Sequence, residues 1–415
     1  MTSRERVEKT IRFEEPDRVP IDLGGMKASG IAATAYSRLR RHLKLAGRTR
    51  VLDPRFMVAV VEPDILTRFH ADIVPLDLSG ILSAVKADRE WVERTLFDGT
   101  PVLLPPGTGI REDADGNWIL LNADGTPSSY HMPKGGFYFD DVAFNTGESR
   151  IDPTRFRPVA TIPDEHLQIL SRYGKALYEG SEYAILGWGF GVCFLGMSLI
   201  TDRSSNVTQG LPSEWMVMLM TEKDTCHEMM DRSVDATIQC LRLVNEAVGP
   251  YCFAWGIAAD DSGTQRGEFI DPDLWAEMIK PHYKKLCDWI HRHTRMKTFF
   301  HSCGSVYHLI PHFIEAGIDI LNPIQTSAAN MEPERLKREF GDRIVFWGGG
   351  CDTQRVLGGG TPEEIRQQVR ERLRIFSPGG GYVFNQVHNI QPNVPAGNIV
   401  AMLDAAYDHG RYGRS

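Results

Sequence analysis

From residue 165 onward, short apolar runs alternate with longer segments whose apolar residues recur every three to four positions. The runs cover 183–188, 252–258, 297–300, 318–323, 344–348 and 382–384. Helical patterns lie between them, for example over 212–222, 226–248, 272–293, 306–316, 332–340 and 362–376. A parallel strand cannot return to its neighbour by a tight turn, so this alternation implies a parallel sheet with helical crossovers. Two further strands are expected at 19–23 and 72–76, which brings the count to eight. A closed (β/α)8 TIM barrel is the economical reading, with all 415 residues in one domain. No G-x-G-x-x-G motif opens a helix after the first strand, which argues against a dinucleotide-binding fold.

The N-terminal part adds a helical extension over 4–13, a Pro-flanked turn at 15–18, and helices over 32–45 and 62–69. Residues 97–145 differ in character. Asp98-Gly99, Asp115-Gly116 and Asp124-Gly125 are hairpin signals between short alternating runs such as Trp118-Ile119-Leu120-Leu121. They predict an antiparallel β insertion within the single domain, placed over 97–150, with a polar connection back to the main body over 146–165.

Composition narrows the partners. The chain is 42% hydrophobic and 24% charged, ample for a large core, and its net charge of −8 comes from interspersed acids and bases. No basic stripe marks a nucleic-acid surface. No stretch of about 18 apolar residues exists to span a membrane, and the charged start, Met1 to Arg6, lacks the apolar region of a secretory signal. Seven scattered cysteines fit a reducing cytoplasm, where Cys193, Cys226, Cys240, Cys252 and Cys287 read as small buried hydrophobes.

In a barrel of this kind the site is assembled from the loops that follow the strands. One apolar run ends abruptly at Phe300-His301-Ser302-Cys303-Gly304, and a helical pattern starts just beyond. His301 and Cys303 therefore meet at one strand end, and imidazole and thiolate are common zinc ligands. The plainer reading is a core cysteine beside a helix-capping histidine. Cys351 follows a strand two positions further along and is the expected third ligand, leaving one open coordination position as in catalytic zinc sites; its plainer reading is a small residue in a Gly-rich turn. His388 and Asp261 are candidates for a fourth ligand and for acid–base work. Asp260-Asp261 is a carboxylate pair at a strand end, equally readable as a helix cap. Met26, Trp188, Phe190, Gln325 and Asn385 also sit at strand ends and are expected to line a substrate pocket; core packing is the alternative for Met26, Trp188 and Phe190.

These residues carry a family resemblance. Arg4-Glu5-Arg6-Val7 with Pro16-Asp17-Arg18-Val19-Pro20, then Asp260 to Gln265 with Ile279-Lys280-Pro281, then Phe300 to Gly304, and finally Asn389-Ile390-Gln391-Pro392 with Val394-Pro395 resemble the uroporphyrinogen decarboxylase superfamily. Within it the chain looks like the corrinoid-dependent methyltransferases. The decarboxylases hold substrate carboxylates with an arginine-rich N-terminal motif, and the matching region here, Asp22-Leu23-Gly24-Gly25-Met26, has no arginine. The methyltransferases bind zinc through H-x-C, matched by His301 and Cys303, and through a later cysteine in a Pro-Gly-Cys-Gly-like turn. That turn here reads Pro378-Gly379-Gly380-Gly381, so Cys351 is the substitute.

The resemblance implies a zinc-dependent methyltransferase that moves a methyl group from a small donor, with methoxylated aromatics favoured and O-demethylation as the reaction, to cob(I)alamin. No corrinoid-binding D-x-H-x-x-G motif is present, so cobalamin is expected on a separate corrinoid protein. A homodimer is compatible with this reading. Two alternatives stay open: decarboxylation of a porphyrinogen or related acid, and methyl transfer from a corrinoid to a thiol or folate acceptor.

Overall fold

The computed structural model describes residues 1–77, 90–142, 151–195 and 212–413. Seven parallel strands form one sheet: β1 (Ile73–Asp77), β2 (Ala184–Trp188), β3 (Cys252–Ala259), β4 (Lys297–His301), β5 (Ile320–Asn322), β6 (Val345–Trp347) and β7 (Tyr382–Val383). They pair strictly in chain order, β1 against β2 through to β6 against β7. The eighth position is filled by residues 20–22. The Phe384 N–H donates to the Pro20 carbonyl and the Asp22 N–H donates to the Phe384 carbonyl, both at 2.9 Å. On the other side the Asp72 N–H donates to the Ile21 carbonyl at 2.8 Å. The segment thus bonds to both sheet edges and closes a TIM-like barrel, as expected, although too irregularly to count as a strand.

Two apolar layers follow from this closure. Inside the barrel, Ile73, Leu186, Ala254, Phe299, Ile320, Val345, Trp347 and Val383 form one buried cluster. Outside, the opposite faces of the strands pack against the helices in a much larger cluster. Strands buried on both faces read as continuous apolar runs, which is why these six runs were legible. Each fully buried Leu or Phe contributes ~1.5–3 kcal/mol.

The N-terminal end of the barrel is sealed. Helix α1 (Ser3–Thr10), started by a Thr2/Glu5 capping box, sends Val7 and Ile11 into the inner cluster. Beside it the buried Asp72 carboxylate accepts from the Arg6 and Arg18 guanidiniums at 2.7 Å. The C-terminal strand ends are left to carry chemistry.

Some boundaries differ for identifiable reasons. The helix expected over 272–293 is two helices, Pro272–Met278 and Lys280–His293. Pro281 has no N–H for the ladder, and its ring clashes with a carbonyl one turn back. Pro311 divides 306–316 in the same way into a 3-10 turn at Tyr307–Leu309 and a helix at Ile310–Ala316. Two long helices, Asp164–Gly180 and Ala396–His409, lie outside the expected set. The second buries most of its circumference, so it shows no apolar stripe.

The three Asp-Gly pairs are hairpin turns, with φ of +82° to +84° at Gly99, Gly116 and Gly125. They join Val92–Thr95 to Pro101–Leu104 and build an antiparallel sheet from Ile110–Glu112, Trp118–Leu121, Pro127–Met132 and Asp140–Asp141. Thr49–Asp53 pairs in parallel with Pro101–Leu104 and joins this region to the body. Residues 143–150, the end of the expected insertion, lie outside the described residues. No helix among the described residues is long and apolar enough to cross a membrane.

Candidate metal centre

β4 ends at His301, and the chain turns sharply at Gly304, whose φ is +92°. A Cβ at Gly304 would lie 2.2 Å from the Gly263 carbonyl carbon, so the loops after β3 and β4 touch backbone to backbone. Glycine is required there on both counts. This close approach holds Cys303 next to His301: the Cys303 Sγ lies 3.4 Å from the His301 Nε2. Two supports fix the loop. The Cys303 N–H donates to the Asp261 Oδ1 at 2.8 Å, and the Gly304 N–H donates to the Gln325 Oε1 at 2.8 Å.

His388, in the loop after β7, completes the group. Ligand atoms of His301, Cys303 and His388 all lie within 4.8 Å of one another, with His301 buried and the other two half-buried. Both imidazoles are oriented. The His301 Nδ1 bonds to the Asn322 Oδ1 at 2.7 Å, and the Asn322 amide is fixed by its own donation to the Trp347 carbonyl. The His388 Nδ1 bonds to the Asn389 Oδ1 at 2.6 Å, an oxygen that also accepts from the Gln391 Nε2. An amide oxygen can only accept, so each Nδ1 carries a proton, and in the neutral ring the lone pair is then on Nε2. Acceptors of this kind on the far ring nitrogen hold metal-binding histidines in place.

The electrostatics agree with this donor set. Burial, with His388 nearby, holds the His301 imidazole below its usual range despite the Asp261 carboxylate, so it stays neutral. Burial and Asp261 push the Cys303 thiol well above its usual range. A bare Cys303 is therefore a poor nucleophile at neutral pH, whereas a bound cation would favour its thiolate. Two imidazoles, one thiol and an open, half-exposed edge fit a borderline-soft cation such as Zn2+.

Cys351 is not brought to this group. It is fully buried in the layer between sheet and helices. Burial and the adjacent Asp352 push its thiol up to about 12, partly opposed by Arg372. The left-handed turn at Gly348 and Gly349, followed by Gly350 packed on Phe384, carries the chain past the mouth before Cys351 is placed. The third corner belongs to His388, which the sequence suggested only as a fourth ligand or an acid–base group.

The other expected residues divide. The paired carboxylates diverge: Asp261 borders the site, while buried Asp260 accepts from the Phe194 and Leu195 N–H groups and from the Tyr283 hydroxyl, anchoring the loop after β2. Gln325 holds the Cys303 loop. Asn385 is buried and its Nδ2 donates to the Asp22 carbonyl. Met26 and half-buried Trp188 belong to the barrel interior, with Trp188 edge-on to Phe299. Phe190 packs instead on the helix-side core, and its carbonyl accepts from the Trp255 Nε1.

The orienting roles of Asn322 and Asn389 escaped the sequence, although both stand at expected strand ends. So did Lys27, whose Nζ lies 2.7 Å from the Asp53 carboxylate and 3.4 Å from Asp77 at the end of β1. Asp22 is fully buried, and burial pushes its carboxyl up to about 6 against hydrogen bonds from Trp347 and Gly25.

Known proteins match this chain along its barrel. A model of the uroporphyrinogen decarboxylase (URO-D) family matches residues 182–409. The uroporphyrinogen decarboxylase of Pseudoalteromonas translucida (strain TAC 125) is 27% identical over 195 residues, 46% of this chain and 50% of that protein. That of Anaeromyxobacter dehalogenans (strain 2CP-C) is 26% identical over 199 residues, 46% of this chain and 51% of that protein. The chain thus spans about half the length of these relatives. A methyltransferase from Methanosarcina mazei has the same fold, with a TM-score of 0.53 and 16% identity over 98% of this chain and 99% of that one. With more than half of its length under the family model, the chain belongs to the uroporphyrinogen decarboxylase family.

Proposed function

We propose that this protein is a zinc-dependent methyltransferase that passes a methyl group from a small donor to the cob(I)alamin of a separate corrinoid protein. The observation that carries the reading is the convergence of His301, Cys303 and His388, with both imidazole Nδ1 protons already engaged by asparagine oxygens. A zinc ion held there would supply Lewis acidity toward the heteroatom that loses or gains the methyl group.

The chain's own residues do the rest. Asn322 and Asn389 set the Nε2 lone pairs before any ion arrives. Asp261 and Gln325 hold the Cys303 turn through its N–H groups. Asp261 also reaches to 3.9 Å from the His301 Nε2. Its exposed carboxylate stands at the edge of the group, where it can relay a proton from solvent to the oxygen that loses the methyl group. Met26 and Trp188 offer an apolar and aromatic wall to a methoxylated ring. The corrinoid partner, the O-demethylation and a cytoplasmic setting belong to the same proposal.

The relatives' names favour a second reading, decarboxylation of a porphyrinogen or related acid. At the described strand ends Lys27 is already matched with Asp53 and Asp77, and Asp261 stands beside His301, an arrangement that disfavours a substrate with many carboxylates. Metal analysis of the purified protein separates the readings. About one zinc per chain, lost in Cys303→Ala and His388→Ala, supports methyl transfer and is followed by assay of methoxylated aromatics with reduced cobalamin. A metal-free protein that decarboxylates a porphyrinogen overturns it.

A further inference from the structure

Away from the barrel mouth, a cleft of about 650 Å3 opens between helix α2 (Ala33–His42) and the strands Thr49–Asp53, Val92–Thr95 and Pro101–Leu104. None of His301, Cys303 or His388 lines it. Five arginines do: Arg38, Arg40, Arg41, Arg48 and Arg94, against the carboxylates of Glu93 and Asp98. In a chain of net charge −8, that is a local reversal of sign.

The guanidiniums are of two kinds. Arg40 is held from behind by the Asp64 carboxylate at 2.9 and 3.0 Å and by the Ala46 carbonyl. Arg38 bonds to the Pro392 carbonyl at 2.8 Å and to Asp98 at 3.3 Å, and Arg48 pairs with Glu93. These three are positioned by their partners. Among the described residues Arg41 and Arg94 have no acid partner; Arg94 lies over the Trp118 ring at 4.5 Å, a contact that offsets part of its charge. Cations at the end of α2 complement the helix dipole, but that effect is confined to its last turn and does not account for Arg48, just before the strand Thr49–Asp53, or for Arg94 on the strand Val92–Thr95.

We propose that this cleft binds a small molecule bearing a polyphosphate. Planar guanidiniums match phosphate oxygens in pairs, and the cleft's volume is that of a nucleotide-sized ligand. Thr95 lines the same cleft.

The test is isothermal titration of the full chain at low salt with inorganic tripolyphosphate and, separately, with a nucleoside triphosphate. Saturable binding of one tripolyphosphate per chain is expected, weakened about tenfold or more in Arg41→Glu and left unchanged in Arg374→Glu, an exposed arginine elsewhere. Arg41 is an exposed helix residue, so its substitution leaves the circular dichroism spectrum intact. Tighter binding of the nucleoside triphosphate, also lost in Arg41→Glu, would support the proposal and assign part of the affinity to the base and sugar. No saturable binding of either probe overturns the proposal, and so does binding that Arg41→Glu leaves untouched.

Discussion

The Asn322 side-chain oxygen accepts the His301 Nδ1 proton at 2.7 Å, and the same amide donates to the Trp347 carbonyl at 3.0 Å. One residue at the end of β5 thus fixes both the tautomer and the plane of an imidazole at the end of β4. Asn322→Ala removes that acceptor and leaves the ring free to rotate. Zinc affinity, measured by competition with a chromogenic chelator, is expected to fall about 10–100-fold with little change in the folded spectrum. An affinity equal to wild type would show that Asn322 does not orient a metal-binding His301.

The two cysteines separate ligand from core. Cys303→Ala and His388→Ala are expected to lose the metal while remaining folded, because both side chains are half-exposed at the mouth. Cys351→Ala is expected to keep the metal and lose ~1–2 kcal/mol of stability from a small unfilled cavity. Metal content by mass spectrometry beside urea unfolding distinguishes them. Zinc loss in Cys351→Ala alone would restore it as the third ligand.

Gly304 couples backbone geometry to the same site. With φ at +92° and the Gly263 backbone 2.2 Å from where a Cβ would stand, Gly304→Ala must push the loops after β3 and β4 apart. The shift moves Cys303 relative to His301, so metal content and stability are expected to fall together, the latter by ~2 kcal/mol or more. Gly379→Ala, a left-handed glycine with open space at its Cβ, is the control: it carries the conformational strain without the collision and should retain the metal.

What was readable in the residues follows from how each signal arises. The barrel strands were legible because parallel strands are apolar on both faces, and the Asp-Gly hairpins because their turns demand left-handed backbone. His301 and Cys303 were legible as a pair because they share one strand end. His388 as third partner was not. It lies 85 residues from Cys303, and only closure through residues 20–22 and the intervening strands brings the loop after β7 round to β4. Cys351 was misplaced for the converse reason. Its strand end is on the correct rim, but three glycines decide which way the chain leaves, and their φ angles cannot be counted from spacing. The split at Pro281 was visible in principle, since proline inside a helical pattern is itself a boundary signal.

The barrel's sealed end should show its charge network on thermal unfolding. Asp72 is fully buried and accepts from Arg6, Arg18 and the Ile21 N–H, tying α1, the closing segment and β1 together. Asp72→Asn leaves the nearly buried Arg18 guanidinium without its counter-charge, while Arg6 keeps Asp17 at 2.7 Å. A loss of ~3–5 kcal/mol is expected, with the metal site unchanged at temperatures where the variant is folded. A loss under 1 kcal/mol would mean that solvent reaches the arginines readily.

Acid stability should depend on Asp319, at the start of β5. Burial alone would raise its carboxyl, but hydrogen bonds and charge from His291, Lys297 and the Thr298 N–H overcome that and bring it down to about 2. The unfolded chain binds its proton near the ordinary carboxylate value of ~3.9. Between those values the unfolded state holds more protons than the folded one, so stability falls as the pH drops. The contribution is fully present above pH ~4, amounts to ~2 kcal/mol, and is lost as the pH falls through about 2. Asp319→Asn should therefore be less stable than wild type at pH 7 and approach it toward pH 2, as read from urea unfolding at a series of pH values. Parallel curves for the two proteins across that window would show that Asp319 carries no net stabilising charge interaction.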